Sequence, residues 1–189
     1  MTIVVTDPAV GEALTLAEAK AHLRVEHQDE DELIEALIRT AREYLEAAAG
    51  LSLLHQSFRL FLDDWPKAQA ILIRKHPVRS LDAVVVYDGE GMPQEMDLAT
   101  VRLDTARRPA RLVVAAMPAP AQLTNGIEIE FTAGYGESGA DVPDVLKRAM
   151  LLHIAAMYAL RGAVGRDHQP ATVPPGYERL IAPYCRKSL

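Results

Sequence analysis

The chain has 189 residues, 49% of them hydrophobic and 24% charged, which is enough to bury a proper core. Its net charge of −6 argues against a protein whose main task is to bind nucleic acid tightly. The same charge suits a surface along which DNA passes without binding. The lone Cys185 excludes an internal disulfide and a cysteine-based zinc cluster. Nothing resembles a signal peptide or a membrane span, so we expect a soluble protein made in a reducing cytoplasm, with no membrane partner.

Two helices are predicted first along the chain. Thr15 and Glu18 have the spacing of a capping box, which opens a short helix through about Leu23. The acidic segment 26–32 begins a longer helix in which apolar residues repeat at helical spacing, and Gly50 is a natural residue to end it.

After His55 the apolar period changes to two, which predicts β-structure. Six short strands are predicted, at residues 57–62, 71–73, 81–87, 101–103, 111–115 and 127–132. No helix-length pattern separates them, so parallel βαβ units are disfavoured. We therefore expect an antiparallel sheet or a small sandwich.

A third helix is predicted over residues 141–161, with Asp141 as its cap and Pro143 in its first turn. His153 falls within its apolar surface, where we expect a hydrogen-bonded core histidine. The predicted fold class is α+β. About three core helices and a short C-terminal segment form a small helical bundle from residues 1–55 and 137–189, and residues 56–136 form a β-rich insertion.

Residues 134–139 (GYGESG) spell the G-x-G-x-x-G of a dinucleotide site, yet their context differs from one. In that fold the glycines open the helix, whereas here residues 140–143 intervene, and Glu137 and Asp141 would repel a phosphate. We interpret Gly134, Gly136 and Pro143 as parts of a structural turn. A nucleotide-binding enzyme that uses this loop is the less favoured alternative.

No other pattern predicts chemistry. The sequence assembles no nucleophile, base and oxyanion donor, so we expect a non-enzyme without catalytic residues, cofactor or metal. The acidic segment 26–32 lacks the glycine of an EF-hand and is interpreted as an acid-rich helix start. Arginines 102, 107, 108 and 111 form a basic cluster, interpreted as a solvated hairpin or a salt-bridging interface loop rather than a phosphate contact.

Three blocks together resemble the head–tail connector (adaptor) family of long-tailed phages and phage-like gene transfer agents. They are residues 14–25 (LTLAEAKAHLRV) followed by acids, residues 33–50, and residues 132–136 (TAGYG) followed by Val142-Pro143, residues 146–152 (LKRAMLL) and Tyr158. Their order and spacing are similar to the longer branch of the family, in which a β region is inserted between the helices. The blocks cover about half of the chain, and residues 167–189 match no motif of the family.

The resemblance implies a structural protein that forms a ring below the portal, extends the DNA channel and joins the head to the next neck or tail protein. Its partners would be the portal protein, about twelve copies of itself, a stopper or other neck protein, and DNA that passes without sequence-specific binding. It would act in the neck of a virion or phage-like particle assembled in the bacterial cytoplasm. A stopper or tail-completion protein of the same neck is the alternative.

The C-terminal segment is a candidate portal-docking element. Residues 161–189 carry a surplus of basic side chains, and Tyr177, Leu180, Ile181 and Tyr184 follow at helical spacing with Arg186 and Lys187 behind them. The alternative is that this face folds back on its own subunit, because apolar periodicity does not identify the partner.

Overall fold

A computed structural model describes residues 1–68, 70–160 and 173–185. The chain divides into two compact units. We name residues 1–9 and 55–135 the β unit, and residues 10–54 and 136–189 the helical unit. The predicted α+β class is confirmed, with four helices and antiparallel sheets among the described residues.

The β unit contains two antiparallel sheets. The first has five strands in the order β1-β2-β8-β4-β5, and the second has three in the order β3-β7-β6. Their bounds are Thr2–Asp7 (β1), Gln56–Leu62 (β2), Ala70–Ile73 (β3), Val78–Tyr87 (β4), Pro93–Glu95 (β5), Val101–Asp104 (β6), Ala110–Val114 (β7) and Ile127–Ala133 (β8).

One hydrophobic core joins the two sheets into a sandwich. Alternate residues of β8 are buried, as a strand with one face in a core requires. Phe131 of β8 stacks on Phe58 of β2 with ring centroids 5.4 Å apart. Ile73 and Leu112 of the second sheet are fully buried in the same cluster. The prediction of an antiparallel sheet or small sandwich is therefore confirmed.

The first strand was not predicted, and it corrects the proposed boundary. The sequence predicts residues 1–55 in the helical part, but residues 1–9 belong to the β unit, where Val4 pairs with Arg59 and Val5 with Phe58. The segment TIVVT is rich in β-branched residues, which fit a pleated edge. The short strand β5 was also missed, because Pro-Gln-Glu carries no apolar alternation.

The helical unit contains helices Leu16–Leu23 (α1), Asp31–Ala49 (α2), Asp144–Ala159 (α3) and Tyr177–Ile181 (α4). The capping box at Thr15 and Glu18 is present, and Gly50 ends α2 with a left-handed φ of 69°. The buried face of α2 consists of Ile34, Ile38, Ala41, Leu45, Glu46 and Ala49. Apart from Glu46, which adjoins Leu45, they follow one another at intervals of three or four residues, which places one stripe of the helix in the core.

The start of α3 differs from the prediction. The helix begins at Asp144 after Pro143, and Asp141 does not cap it. Instead Asp141 closes a capping box with Ser138 around a 3-10 turn at Gly139–Asp141. A serine and an aspartate three residues apart can satisfy each other's backbone N–H groups, so this local turn takes the side chain that was assigned to the helix.

Candidate assembly surfaces

The C-terminal helix α4 lies on α3 of its own subunit. The Tyr177 ring is only 1% exposed and meets His153 of α3 edge-on, with ring centroids 5.6 Å apart. It meets Tyr44 of α2 in the same way at 5.9 Å, and Ile181 is 5% exposed. Tyr177 and Ile181 thus hold α4 on its own subunit, as the alternative proposed.

The other residues of the candidate docking element lie differently. Leu180 and Tyr184 are half-buried, whereas Arg186 and Lys187 lie outside the described residues. A portal contact would therefore have to use the outward side of α4 and the residues that follow it. Docking on a portal stays a prediction.

The polar atoms under α4 are buried without hydrogen bonds to any described residue. They are both ring nitrogens of His153 and the hydroxyl of Tyr177. The expectation of a hydrogen-bonded His153 was therefore wrong, because aromatic edges surround the ring in place of polar groups. Burial lowers the pKa of His153. It also raises the pKa of Tyr177, with smaller contributions from Tyr44 and Cys185. Both side chains are neutral near pH 7.

A groove of about 450 Å³ runs beside α4. Its walls are Tyr44, Ala48, Tyr177, Glu178, Ile181, Ala182 and Cys185. Burial raises the pKa of the Cys185 thiol, and the Glu178 charge adds to the shift, so this cysteine stays protonated at neutral pH. The groove can accept an apolar side chain and offers no activated nucleophile.

The side chain of Asp141 packs closely against the glycine loop. The Ser138 N–H donates to the Asp141 carboxylate at 3.1 Å. A Cβ atom at Gly136 would lie 2.2 Å from Cγ of Asp141, so only glycine lets this carboxylate approach. Gly134 has a φ of 141°, which disfavours other residues, and its N–H donates to the Pro77 carbonyl at 2.8 Å. A carboxylate in this position would repel a nucleotide.

The acids before and at the start of α2 divide into two groups. Glu30 accepts a hydrogen bond from the Tyr158 hydroxyl of α3, and Asp31 pairs with Lys20 of α1. Glu26, Asp29 and Glu32 are exposed. The first group stabilises the helical unit, and the second gives its surface a negative patch.

The predicted basic cluster opens into a cleft of the β unit. Arg107 and Arg108, in the turn between β6 and β7, line a cleft of about 320 Å³ together with Arg79 at the start of β4. Its remaining walls are His76, Pro77, Val78, Thr105, Ala110, Gly134 and Tyr135. Arg111 instead pairs with Asp104 at 2.9 Å, and Arg102 does not line the cleft.

Sequence reasoning missed Arg79, because it lies far from the other two arginines in the chain. The start of β4 belongs to the five-stranded sheet and the β6–β7 turn to the three-stranded sheet, so only the packing of the two sheets brings these arginines to one cleft, and no local pattern encodes that contact. Among the described residues, no group of three or more histidine, cysteine or acidic side chains could hold a metal, and no helix could span a membrane.

The surface features of this α+β chain are therefore an arginine-lined cleft in the β unit and a largely apolar groove beside α4 in the helical unit. Residues 13–108 match the family model described as "Phage gp6-like head-tail connector protein". The chain belongs to this head–tail connector family. No curated protein matches it.

Solved structures similar to the chain include three from gene transfer agent (GTA) particles. One, from the neck of an empty GTA particle computed with C6 symmetry, has a TM-score of 0.83 and 27% identity. Another, from the neck of a native GTA particle computed with C12 symmetry, has a TM-score of 0.79 and 29% identity. A third, from the virion of a native GTA particle, has a TM-score of 0.83 and 26% identity. Each match covers 100% of this chain and 97% of the other. The resemblance inferred from the sequence is confirmed.

Proposed function

We propose that this chain is the head–tail adaptor of a phage or phage-like particle. About twelve copies form a ring below the portal, extend the DNA channel and receive the next neck or tail protein. The observation that carries the proposal is the match along the whole chain to GTA neck structures. The protein works by assembly and fit, without bond chemistry, in a neck put together in the bacterial cytoplasm.

Cyclic symmetry supports the ring. Two of the similar neck structures were computed with C6 and C12 symmetry, and a cyclic arrangement repeats one head-to-tail contact around its axis. A ring of about twelve copies is compatible with both symmetries, since six divides twelve.

Charge supports the passage of DNA. The net charge is −6, and Glu26, Asp29 and Glu32 are exposed near the start of α2. A wall of the same sign as the phosphates holds a sliding duplex least. We propose that exposed acids such as these line the channel, so the purified protein should bind free duplex DNA weakly at physiological salt.

The test separates an adaptor from a stopper or tail-completion protein. Heads that carry a portal but no other neck protein are mixed with the purified chain and sedimented, with heads that lack a portal as the control. An adaptor binds the first heads, and electron microscopy should show a ring directly below the portal. Binding only after another neck protein has been added would assign the chain to the stopper or tail-completion role.

A further inference from the structure

The two ends of the β unit carry opposite charge. Val78 of β4 and Gln56 of β2 both pair with Ala133 of β8, while Val86 and Leu62 both pair with Ile127. The start of β4 and the end of β2 therefore lie at opposite ends of the five-stranded sheet. The seven residues of β8 from Ile127 to Ala133 separate these ends by roughly 20 Å.

The basic end contains the arginine cleft. Arg79, Arg107 and Arg108 are exposed, and none of them forms an ion pair within the described part of the chain. No carboxylate of a described residue lines the cleft, and Asp7 at the end of β1 lies at this end of the sheet but outside it. Three arginines that line one concave site, with no described carboxylate among its walls, favour an anionic ligand.

The acidic end lies where β2 and β4 finish. Asp63 and Asp64 follow β2, and Asp88 and Glu90 form the turn after β4, with Glu95 on the adjoining strand β5. The Asp63 carboxylate accepts the Asn125 N–H at 2.9 Å, which ties the loop before β8 to the same end. Lys67 is the basic residue in the loop after Asp64. Glu90 and Glu95 are exposed, and neither forms an ion pair with a described residue.

We propose that the arginine cleft of one copy binds the acidic end of the next copy. Arg107 and Arg108 on one side would contact Glu90 and Glu95 on the other. The inference rests on the proposed ring. A ring held by head-to-tail contacts needs two different, complementary faces on each subunit, and the opposite ends of the β unit are such faces.

The shape of the cleft favours a protein side chain over nucleic acid. A volume of about 320 Å³ with walls of Pro77, Val78 and Tyr135 accommodates one or two side chains, with the arginines holding their carboxylates. A DNA duplex is too wide to enter and would touch only the rim, on a protein whose net charge of −6 repels it.

Charge exchange tests the contact in the full-length protein. One variant carries Arg107→Glu and Arg108→Glu, a second carries Glu90→Arg and Glu95→Arg, and a third carries all four changes. Retention on portal-bearing heads is measured for each, and thermal unfolding verifies that each is folded. Arg102→Glu is the matched control, because this exposed arginine of the same sheet does not line the cleft.

Each two-residue variant should lose about tenfold or more of its retention, because like charges then face each other at every contact of the ring. The four-residue variant should recover retention, since both members of each pair have been exchanged. The control should behave as the wild type. Wild-type retention of both two-residue variants, or no recovery in the four-residue variant, would overturn the inference.

A DNA arm identifies the competing ligand. Binding of a short duplex at low salt is compared for the wild type, the arginine variant and the four-residue variant. If the wild type binds duplex, both variants lose it, and retention on heads is not recovered, the cleft holds phosphate and the inference is wrong. If the wild type itself fails to join portal-bearing heads, the proposed adaptor function has failed. If the wild type joins portal-bearing heads normally and the charge variants are retained equally well, only the proposed contact between copies is wrong.

Discussion

Oε1 of Glu18 lies 2.6 Å from Nζ of Lys147 in α3, while Oε2 of the same carboxylate accepts the Thr15 N–H at 2.8 Å. One side chain therefore completes the cap of α1 and ties that helix to α3. The hydrogen bond from Lys147 is the main reason that the pKa of Glu18 lies below its ordinary value of 4.5, and the Thr15 N–H adds to the shift.

Glu18→Gln should destabilise the protein by roughly 0.5–1 kcal/mol at neutral pH, because the ion pair is partly exposed and its charge is screened. A carboxyl with a lowered folded pKa stabilises the fold above its unfolded pKa. That stabilisation is lost as the pH falls through the folded pKa. The difference from wild type in urea unfolding should therefore shrink as the pH falls below 4.5. Glu35→Gln, at an exposed position of α2, is the control.

His153 should make stability depend on pH in the range just below 6.5. Its folded pKa is lowered by burial, so the unfolded chain binds the proton more readily, and stability falls as the pH drops below the unfolded value of 6.5. His153→Phe keeps a ring against Tyr44 and Tyr177 and removes two buried nitrogens without partners among the described residues. It should stabilise the protein by about 1–3 kcal/mol at pH 6.

The readout is thermal unfolding between pH 5 and 8. The pKa of His22 is also lowered by burial and by the Arg148 charge. The unfolding temperature of His153→Phe should therefore still depend on pH, but less steeply than that of the wild type. His27→Gln, at an exposed histidine, is the comparison. If the unfolding temperature of His153→Phe depends on pH as steeply as that of the wild type, His153 is not the source of the pH dependence.

Gly136→Ala should impair folding, since the added Cβ would lie 2.2 Å from a carboxylate that shapes the turn. We expect a loss of several kcal/mol, as for other strained or overpacked sites. Gly89→Ala is the matched control, because its Cβ would meet Ala121 at an ordinary 3.7 Å. Circular dichroism and thermal unfolding distinguish the two variants.

The same loop should be silent as a ligand site. Ser138→Ala removes a cap worth about 1 kcal/mol but should leave joining to portal-bearing heads intact. Calorimetry with ATP and NAD should show no saturable binding to the wild type. Saturable binding that disappears on changing Ser138 would restore the nucleotide-site interpretation.

Removal of residues 186–189 should separate docking from folding. A larger deletion that begins at Tyr177 would also remove a buried ring and cost about 3–5 kcal/mol, which would obscure any loss of docking. The shorter truncation keeps Tyr177 and Ile181, so its melting temperature should stay close to wild type. It should join portal-bearing heads poorly if Arg186 and Lys187 contact the portal. Joining at the wild-type level would remove these two residues from the docking element.

Local signals explain what the sequence predicted well. The capping box at Thr15 and the glycine at position 50 act through backbone groups a few residues away, so their patterns are visible in one sequence. Asp141 shows how such signals compete. This residue lies shortly before a helix and also three residues after Ser138, so two caps are possible for its side chain. In the structure it forms the capping box with Ser138.

The candidate surfaces were harder to predict because distant segments build them. The pairing of β1 with β2 joins segments on either side of two helices. The arginine cleft needs β4 next to β8 and the β6–β7 turn beside them. The position of Tyr177 against Tyr44 and His153 depends on how three helices pack. Helical spacing alone does not distinguish packing on the same chain from docking on another protein.

The central place of β8 has a consequence for the order of events on the ribosome. This strand lies between β2 and β4, and it is the last of the eight to be synthesised. The five-stranded sheet therefore cannot form completely until residue 133 has left the exit tunnel. Helix α2 packs against α3, which begins ten residues after β8 ends, so the helical unit also depends on a late segment. Because domains of a nascent chain fold as their segments become available, both units should remain incomplete through most of translation and mature almost together near its end.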